Sequence, residues 1–335
     1  MQHSNKIFAV LGSGSWGTAL AILLAKNDHR VFLWGRSKEE IAAMAHTREN
    51  SRYLPGIKLP ELLTPVDSME VAVEQADEVL IVVPSKAFES VLHQLASCIR
   101  PEAGVVWASK GLEEKSCRLI HELVFEVFGQ QRRHAVISGP TFAKEVALGL
   151  PTAVSVASND EVYASQLAID LHNDTFRAYM CSDVIGVEIG GAVKNILAIA
   201  AGIADGLNFG ANTRAALITR GLAEITRLGV SCGARAETFM GLAGLGDLVL
   251  TCTDNQSRNR RLGLGLAAGK NVETVLQELG QVAEGLYTAE MVYRLAQTRQ
   301  VEMPICDEVY QILYQNKDPR EAVHSLLHRS IKSEN

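Results

Sequence analysis

Three groups of residues in this chain have the types and spacing that a particular chemistry needs. The first is Gly12, Gly14 and Gly17, spaced G-x-G-x-x-G within I-F-A-V-L-G-S-G-S-W-G (7–17). An apolar helical pattern, Thr18 to Leu24, follows at once. Strand, glycine turn and helix in that order point to a dinucleotide-binding turn; the alternative is a glycine-rich turn that holds no ligand. Gly12 permits the tight turn, Gly14 lets the backbone approach a pyrophosphate, and Gly17 lets the helix pack closely on the strand. The free N–H groups and positive dipole of the helix start then face the phosphates.

The second is Lys194, the lone cation in V-E-I-G-G-A-V-K-N-I-L-A-I-A-A (187–201). An unpaired ammonium buried there is costly and its pKa falls, which suits proton exchange near neutral pH. The alternative is a lysine whose stem covers apolar surface while its amine reaches water. Gly190 and Gly191, one turn earlier, leave room for a ligand or a nicotinamide ring, and Asn195 adds a polar neighbour. The third is N-Q-S-R-N-R-R-L-G (255–263). Asn255 or Ser257 caps a helix whose first turn holds Arg258, Asn259, Arg260 and Arg261. Basic side chains there oppose the helix dipole. They make sense if an anion such as a substrate phosphate binds; otherwise the turn is simply solvated. Asp247, in G-L-A-G-L-G-D-L (241–248), pairs with Lys194 or accepts a substrate hydroxyl, unless it serves as a helix cap.

The end of the second strand selects the cofactor. An acid there would bond the ribose 2′-hydroxyl of NAD. The chain reads W-G-R-S-K (34–38) instead, with Arg36 and Lys38. A guanidinium grips a 2′-phosphate with two parallel hydrogen bonds, so NADP(H) is favoured. If Arg36 only stacks on adenine, NAD(H) serves as well. Together the three groups imply hydride transfer between nicotinamide and a small phosphorylated alcohol or ketone.

These residues need a frame to hold them. Apolar strand patterns fall at 7–11, 30–34, 78–83, 104–108 and 134–138, with 152–157 as an edge strand. Helical patterns alternate with them, as in K-E-E-I-A-A-M-A after a Ser37 cap, in 71–76, after Ser85 and in 115–128. Alternation of this kind implies a parallel sheet wound on both faces, with ligands beyond the strand ends. After Cys181 the pattern is helical, with segments at 187–204, 213–228, 234–241, 258–268, 288–295 and 307–314 and a polar tail, I-K-S-E-N. The expected class is α/β: residues 1–181 as an NAD(P)-binding, Rossmann-type doubly wound parallel sheet, residues 182–335 as an all-helical substrate and catalytic domain.

Composition narrows the setting. The 335 residues are 47% hydrophobic and 21% charged with net charge −6, which fits a globular protein and argues against a nucleic-acid surface. Six cysteines form no C-x-x-C pair, so neither zinc nor disulfides are suggested and reduced thiols in a cytoplasm fit. Lys6 before an apolar stretch imitates a signal peptide, but the three glycines interrupt it. No stable membrane insertion is expected.

Eight segments in order, G-S-G-S-W-G-T-A-L (12–20), N-S-R-Y-L-P (50–55), V-V-P-S (82–85), A-S-K-G-L (108–112), S-G-P-T-F-A-K-E-V (138–146), G-G-A-V-K-N-I-L-A-I-A-A-G (190–202), G-L-A-G-L-G-D-L (241–248) and S-R-N-R-R-L-G (257–263), carry a family likeness. The chain resembles the bacterial-type soluble NAD(P)-dependent glycerol-3-phosphate dehydrogenases. The resemblance implies a fold like that of 6-phosphogluconate dehydrogenase and reversible reduction of dihydroxyacetone phosphate to sn-glycerol 3-phosphate, a phospholipid precursor. It implies that Gly12, Gly14, Ser15, Trp16, Arg36, Tyr53, Lys110, Ala143, Arg258, Val282 and Glu284 bind the nucleotide. It implies that Lys110, Gly139, Thr141, Lys194, Asp247, Ser257, Arg258 and Asn259 bind substrate, with Lys194 as the proton-transfer residue and no metal. A homodimer is usual for such folds. The rival readings are a related dehydrogenase acting on a hydroxy acid or sugar acid, and a non-catalytic NAD(P) sensor.

Overall fold

The computed structural model describes residues 5–330, so the I-K-S-E-N tail lies outside the described residues. The chain folds as two compact units, Met1–Glu113 with Arg118–Glu188, and Glu114–Cys117 with Ile189–Asn335. The division falls within a helix, a few residues past the change in sequence pattern at Cys181.

The first unit is built on β1(Ile7–Leu11), β2(Arg30–Trp34), β3(Leu63–Val66), β4(Glu78–Ile81), β5(Gly104–Trp107), β6(His134–Ser138), β7(Thr152–Ala157) and β8(Phe176–Cys181). Between them run α1(Ser15–Lys26), α2(Lys38–Thr47), α3(Met69–Val73), α4(Ser85–Ala96), α5(Ile120–Phe128), α6(Ala143–Leu148) and α7(Glu161–Leu171). The eight-stranded sheet has the order β3-β2-β1-β4-β5-β6-β7-β8. β1 pairs in parallel with both β2 and β4, Ala9 lying opposite Phe32 on one side and Val79 on the other. The strand order reverses beside β1, which puts the glycine turn at the topological switch point where such sheets bind ligands. Strands such as β4, β5 and β6 are buried on both faces, as continuous apolar runs in a helix-covered sheet must be.

Three expectations about this unit are corrected. β7 is not an edge: it pairs antiparallel with β6 and parallel with β8. The edge is β8, F-R-A-Y-M-C, in which only Phe176 is buried and no residue is β-branched, so no buried β-branched run announces it as a strand. β3, L-T-P-V, is likewise unannounced; its proline sits on an edge strand, where a missing donor is tolerated. Finally, the helix expected over 115–128 begins only at Ile120, because Cys117 takes a left-handed conformation, φ 58°.

The second unit contains α8(Val184–Gly206), α9(Gly210–Ser231), α10(Asp247–Thr253), α11(Arg258–Ala267), α12(Val272–Leu279), α13(Glu284–Arg299), α14(Pro304–Gln315) and α15(Pro319–Leu327). The opening turns of α8, through Glu188, belong to the first unit. Short 3₁₀ and π turns, Ala236–Met240 and Leu242–Gly246, lead into α10. By length and composition α8 is apolar enough to cross a membrane, yet 89% of its most apolar window is buried within the fold. It is a core helix. α8 and α11 cross at touching distance. A Cβ on Gly202 would stand 2.0 Å from the Arg260 carbonyl oxygen, and one on Gly263 2.1 Å from that of Ile199. That crossing sets the start of α11 against the middle of α8.

Candidate functional site

Each glycine of the opening turn has a different surrounding. Gly12 has φ 126°, and a Cβ there would stand 2.3 Å from the Val82 carbonyl oxygen. A Cβ on Gly17 would stand 1.9 Å from the Gly12 carbonyl oxygen. Both are therefore demanded by backbone packing. Gly14 differs: it precedes α1 with no side-chain cap, and a Cβ there would meet nothing within 4 Å. The first N–H groups of α1 thus face space that the protein leaves open, where a phosphate fits. Trp16, partly buried beside the turn, has a buried Nε1 without a hydrogen-bond partner among the described residues. The open cradle and the orphan donor fit a dinucleotide.

The loop after α2 is tied to this turn. Asn50, 4% exposed, donates from Nδ2 to the Ser13 carbonyl (2.9 Å) and Thr18 Oγ1 (2.8 Å), and accepts from Tyr53 N–H (3.2 Å). Ser15 Oγ donates to the Tyr53 carbonyl (3.1 Å), completing the link. Sequence reasoning did not single out Asn50; a buried amide in a loop becomes visible only through its partners. Arg36 stands exposed at the end of β2 and makes no hydrogen bond or ion pair among the described residues. Ser37 caps α2 by accepting from Glu40 N–H (3.2 Å).

Farther along the same sheet, Lys110 Nζ (3.3 Å) and Thr141 Oγ1 (3.2 Å) both donate to the Gly139 carbonyl. Gly139 has φ 150°, which favours glycine and turns that carbonyl toward both side chains. Ala143 is the first residue of α6 and packs on the core. Lys110, Gly139, Thr141 and Ala143 therefore form one cluster at the ends of β5 and β6.

In the second unit, Lys194 is 6% exposed and its ammonium meets Asp247 Oδ1 at 2.5 Å and Thr251 Oγ1 at 2.8 Å. Of the roles the sequence left open to Asp247, pairing with Lys194 is the one present, so the buried ammonium is not unpaired. Asp247, wholly buried, opens α10 as its anionic partner, and Thr251 joins from one turn later on the same helix face. The i, i+4 spacing of Asp247 and Thr251 was the signal that could have found Thr251. Gly190 makes no room for a ligand either: a Cβ there would stand 2.4 Å from the Ala243 carbonyl oxygen, so it exists to let α8 meet the π turn. Cys252, beside Thr251, has its thiol pushed up to about 12 by burial, which makes it inert.

The start of α11 is less basic than its sequence. Ser257 caps it by accepting from Arg260 N–H (3.2 Å). Arg260 is buried and committed to Asp205 (2.5 Å), the Cys252 carbonyl (3.1 Å) and Asn255, so it is not part of an anion site. Asn259 donates to Asn195 Oδ1 and accepts from Gly285 N–H, both at 2.9 Å. Arg258 contacts Gln281 (3.2 Å). The 281–285 segment, with exposed Val282 and with Glu284 opening α13, therefore lies beside Arg258 and Asn259. Nothing in its composition had marked it.

Two family models cover most of the chain: the NAD-dependent glycerol-3-phosphate dehydrogenase N-terminus matches residues 7–164 and the C-terminus of the same family residues 183–324. A glycerol-3-phosphate dehydrogenase [NAD(P)+] from Pseudoalteromonas translucida is 52% identical over 335 residues, the whole of both chains. One from Nitrosococcus oceani is 54% identical over 325 residues, 97% of this chain and 94% of its own. Among solved structures, a glycerol-3-phosphate dehydrogenase from Coxiella burnetii is 48% identical, covers 97% of this chain and 99% of its own, and superposes with a TM-score of 0.94.

Proposed function

Because the chain belongs to the NAD-dependent glycerol-3-phosphate dehydrogenase family, we propose that it reduces dihydroxyacetone phosphate to sn-glycerol 3-phosphate, reversibly, with NADPH preferred. The observation that carries the reading is the buried Lys194–Asp247–Thr251 group: a proton donor held in a defined place by two side chains. The nucleotide, when bound, supplies the hydride that goes to C2.

The chain's own residues do the rest. The open face at Gly14 and the start of α1 receive the pyrophosphate. Exposed Arg36 reads the 2′-phosphate, and Trp16, Tyr53, Ala143, Val282 and Glu284 line the nucleotide. Arg258, with Ser257 and Asn259, receives the substrate phosphate at the start of α11. Lys110, Gly139 and Thr141 line the substrate. Lys194 polarises the C2 carbonyl and gives its proton to the oxygen as charge develops there. Asp247 holds the lysine, and in the reverse direction Lys194 takes the proton back. The same reading has a homodimer working in the cytoplasm without membrane insertion.

The test is oxidation of NADPH by the purified chain with dihydroxyacetone phosphate, against hydroxy-acid and no-substrate controls. Turnover with a hydroxy acid alone would make this a different dehydrogenase; binding without turnover would make it a sensor. Arg36→Asp, assayed with both cofactors, should move the NADPH/NADH ratio of kcat/KM at least tenfold toward NADH, since charge-assisted hydrogen bonds are replaced by repulsion. An unchanged ratio removes Arg36 from 2′-phosphate recognition.

A further inference from the structure

Three donors converge on one buried carboxylate outside the group just described. Glu188, in the opening turns of α8, is 5% exposed. Its Oε1 accepts from Trp107 Nε1 (3.0 Å) and from the His121 backbone N–H (2.9 Å). Its Oε2 meets His121 Nδ1 at 2.6 Å. Trp107 ends β5, three residues before Lys110, and His121 is the second residue of α5. A carboxylate is tolerated in an apolar interior only when its lone pairs are taken, and these are.

The surroundings keep the pair in place. Burial works against the His121 imidazolium, but the Glu188 hydrogen bond and charge, with Glu122, outweigh it and raise its pKa. His134 lies on the other side, stacked on Trp107 at 6.3 Å and met edge-on by Phe125 at 4.7 Å. Burial lowers the pKa of His134, so it forms a neutral wall. Glu188, Glu122 and His134 are the titratable groups that face His121.

We propose that Glu188, held by His121 and Trp107, is a positioning residue for Lys194: it fixes the rotation of α8 at its opening turns, six residues before the lysine. The inference rests on the proton-transfer reading of Lys194. Six residues of helix span about 9 Å, and both Glu188 carboxylate oxygens are held by Trp107 and His121. Glu188 acts through the helix. A gripped side chain near one end of a rigid helix sets where a later side chain points, and a misplacement of about 1 Å can cost about 100-fold in rate.

The test compares Glu188→Ala, Glu188→Gln and His121→Ala with wild type. Each is read by kcat and KM for both substrates, by pH profile, and by hydrogen exchange in residues 184–193. Glu188→Ala should lower kcat roughly 10- to 100-fold, leave KM for NADPH within about twofold, and speed exchange in that segment. His121→Ala, which keeps the backbone donor, should do the same more mildly and guards against an unfolded Glu188→Ala. Glu188→Gln should recover most of kcat at high pH, where its amide oxygen keeps two donors and its N–H meets a neutral Nδ1. It should lose activity only on acidification below the ordinary histidine range, because burial is then no longer outweighed by the Glu188 charge and an imidazolium offers that amide no acceptor. Folded variants with wild-type kcat, or with faster exchange and unchanged kcat, overturn the proposal and leave Glu188 a stabilising contact only. If wild type fails to oxidise NADPH with dihydroxyacetone phosphate, the functional reading fails instead, and the exchange data still report the anchoring.

Discussion

Lys194 and Asp247 illustrate how a buried charge is made tolerable and then useful. Removing one partner of such a pair leaves the other charge uncompensated, at a cost of about 3–5 kcal/mol. Lys194→Ala alone therefore mixes lost chemistry with lost stability. Paired with Asp247→Asn, the uncompensated carboxylate disappears. The double variant should be more stable to urea than Lys194→Ala, yet keep the same loss in kcat, about 10²–10⁴-fold for a general acid. NADPH affinity, from fluorescence titration, should stay within about twofold. Recovery of turnover together with stability would show that Lys194 is a structural ion-pair partner and not the proton donor.

Among the elements, the glycine turn separates two roles that its spacing alone merges. Gly17→Ala drives a methyl into the Gly12 carbonyl at 1.9 Å, backbone against backbone, so nothing flexible can yield. It should cost about 1–3 kcal/mol or more by overpacking, seen as a lower urea midpoint. Gly14→Ala meets no protein atom within 4 Å and should leave that midpoint unchanged. Its methyl instead occupies the pyrophosphate's approach, so NADPH affinity should fall about tenfold or more, roughly 1.4 kcal/mol. A Gly14→Ala protein that binds NADPH normally would show that no phosphate approaches there. The helices were unequally legible. α8 was plain because its nearly all-apolar stretch marks a buried helix, and α11 because Asn255 or Ser257 offered a cap for its start, the structure choosing Ser257. α12 and α15 went unread although Val272, Val275, Leu276 and Leu279 stand at helical spacing in V-E-T-V-L-Q-E-L; each helix is short, and each buries one residue, Val275 and Ala322.

For the molecule as a whole, the second unit carries a pH-dependent term away from the chemistry. Glu224, on α9, accepts from the Ile305 (2.8 Å) and Cys306 (3.2 Å) N–H groups at the start of α14. Burial raises its pKa to about 7. Between its ordinary value, about 4.3, and 7, the folded state binds more protons than the unfolded one, so this contribution to stability falls as pH rises through that window. At about 1.4 kcal/mol per unit, the change approaches ~3 kcal/mol. Glu224→Gln removes the titration. Urea unfolding at pH 5 and pH 8 should show the difference between variant and wild type moving in the variant's favour by up to that amount. A difference independent of pH would mean that Glu224 ionises normally in the fold.

What the sequence determined by itself were the features whose meaning is local. Glycine spacing dictates a turn, a missing acid beside Arg36 raises the expectation of a 2′-phosphate, and Ser37, with Asn255 or Ser257, marks helix starts, because each works through neighbours within a few residues. Tertiary structure decided most of the partners and chose among those the sequence left open, as with Asp247 and Lys194. Asp247 lies 53 residues from Lys194 and Trp107 lies 81 from Glu188. Arg260 spends its charge on Asp205, 55 residues away, so the basic cluster read at 258–261 is only partly open to an anion. Gly190 serves a helix contact rather than a ligand. Which far-apart residues meet depends on the rotation and crossing of packed helices, and residue spacing within one segment carries no record of either.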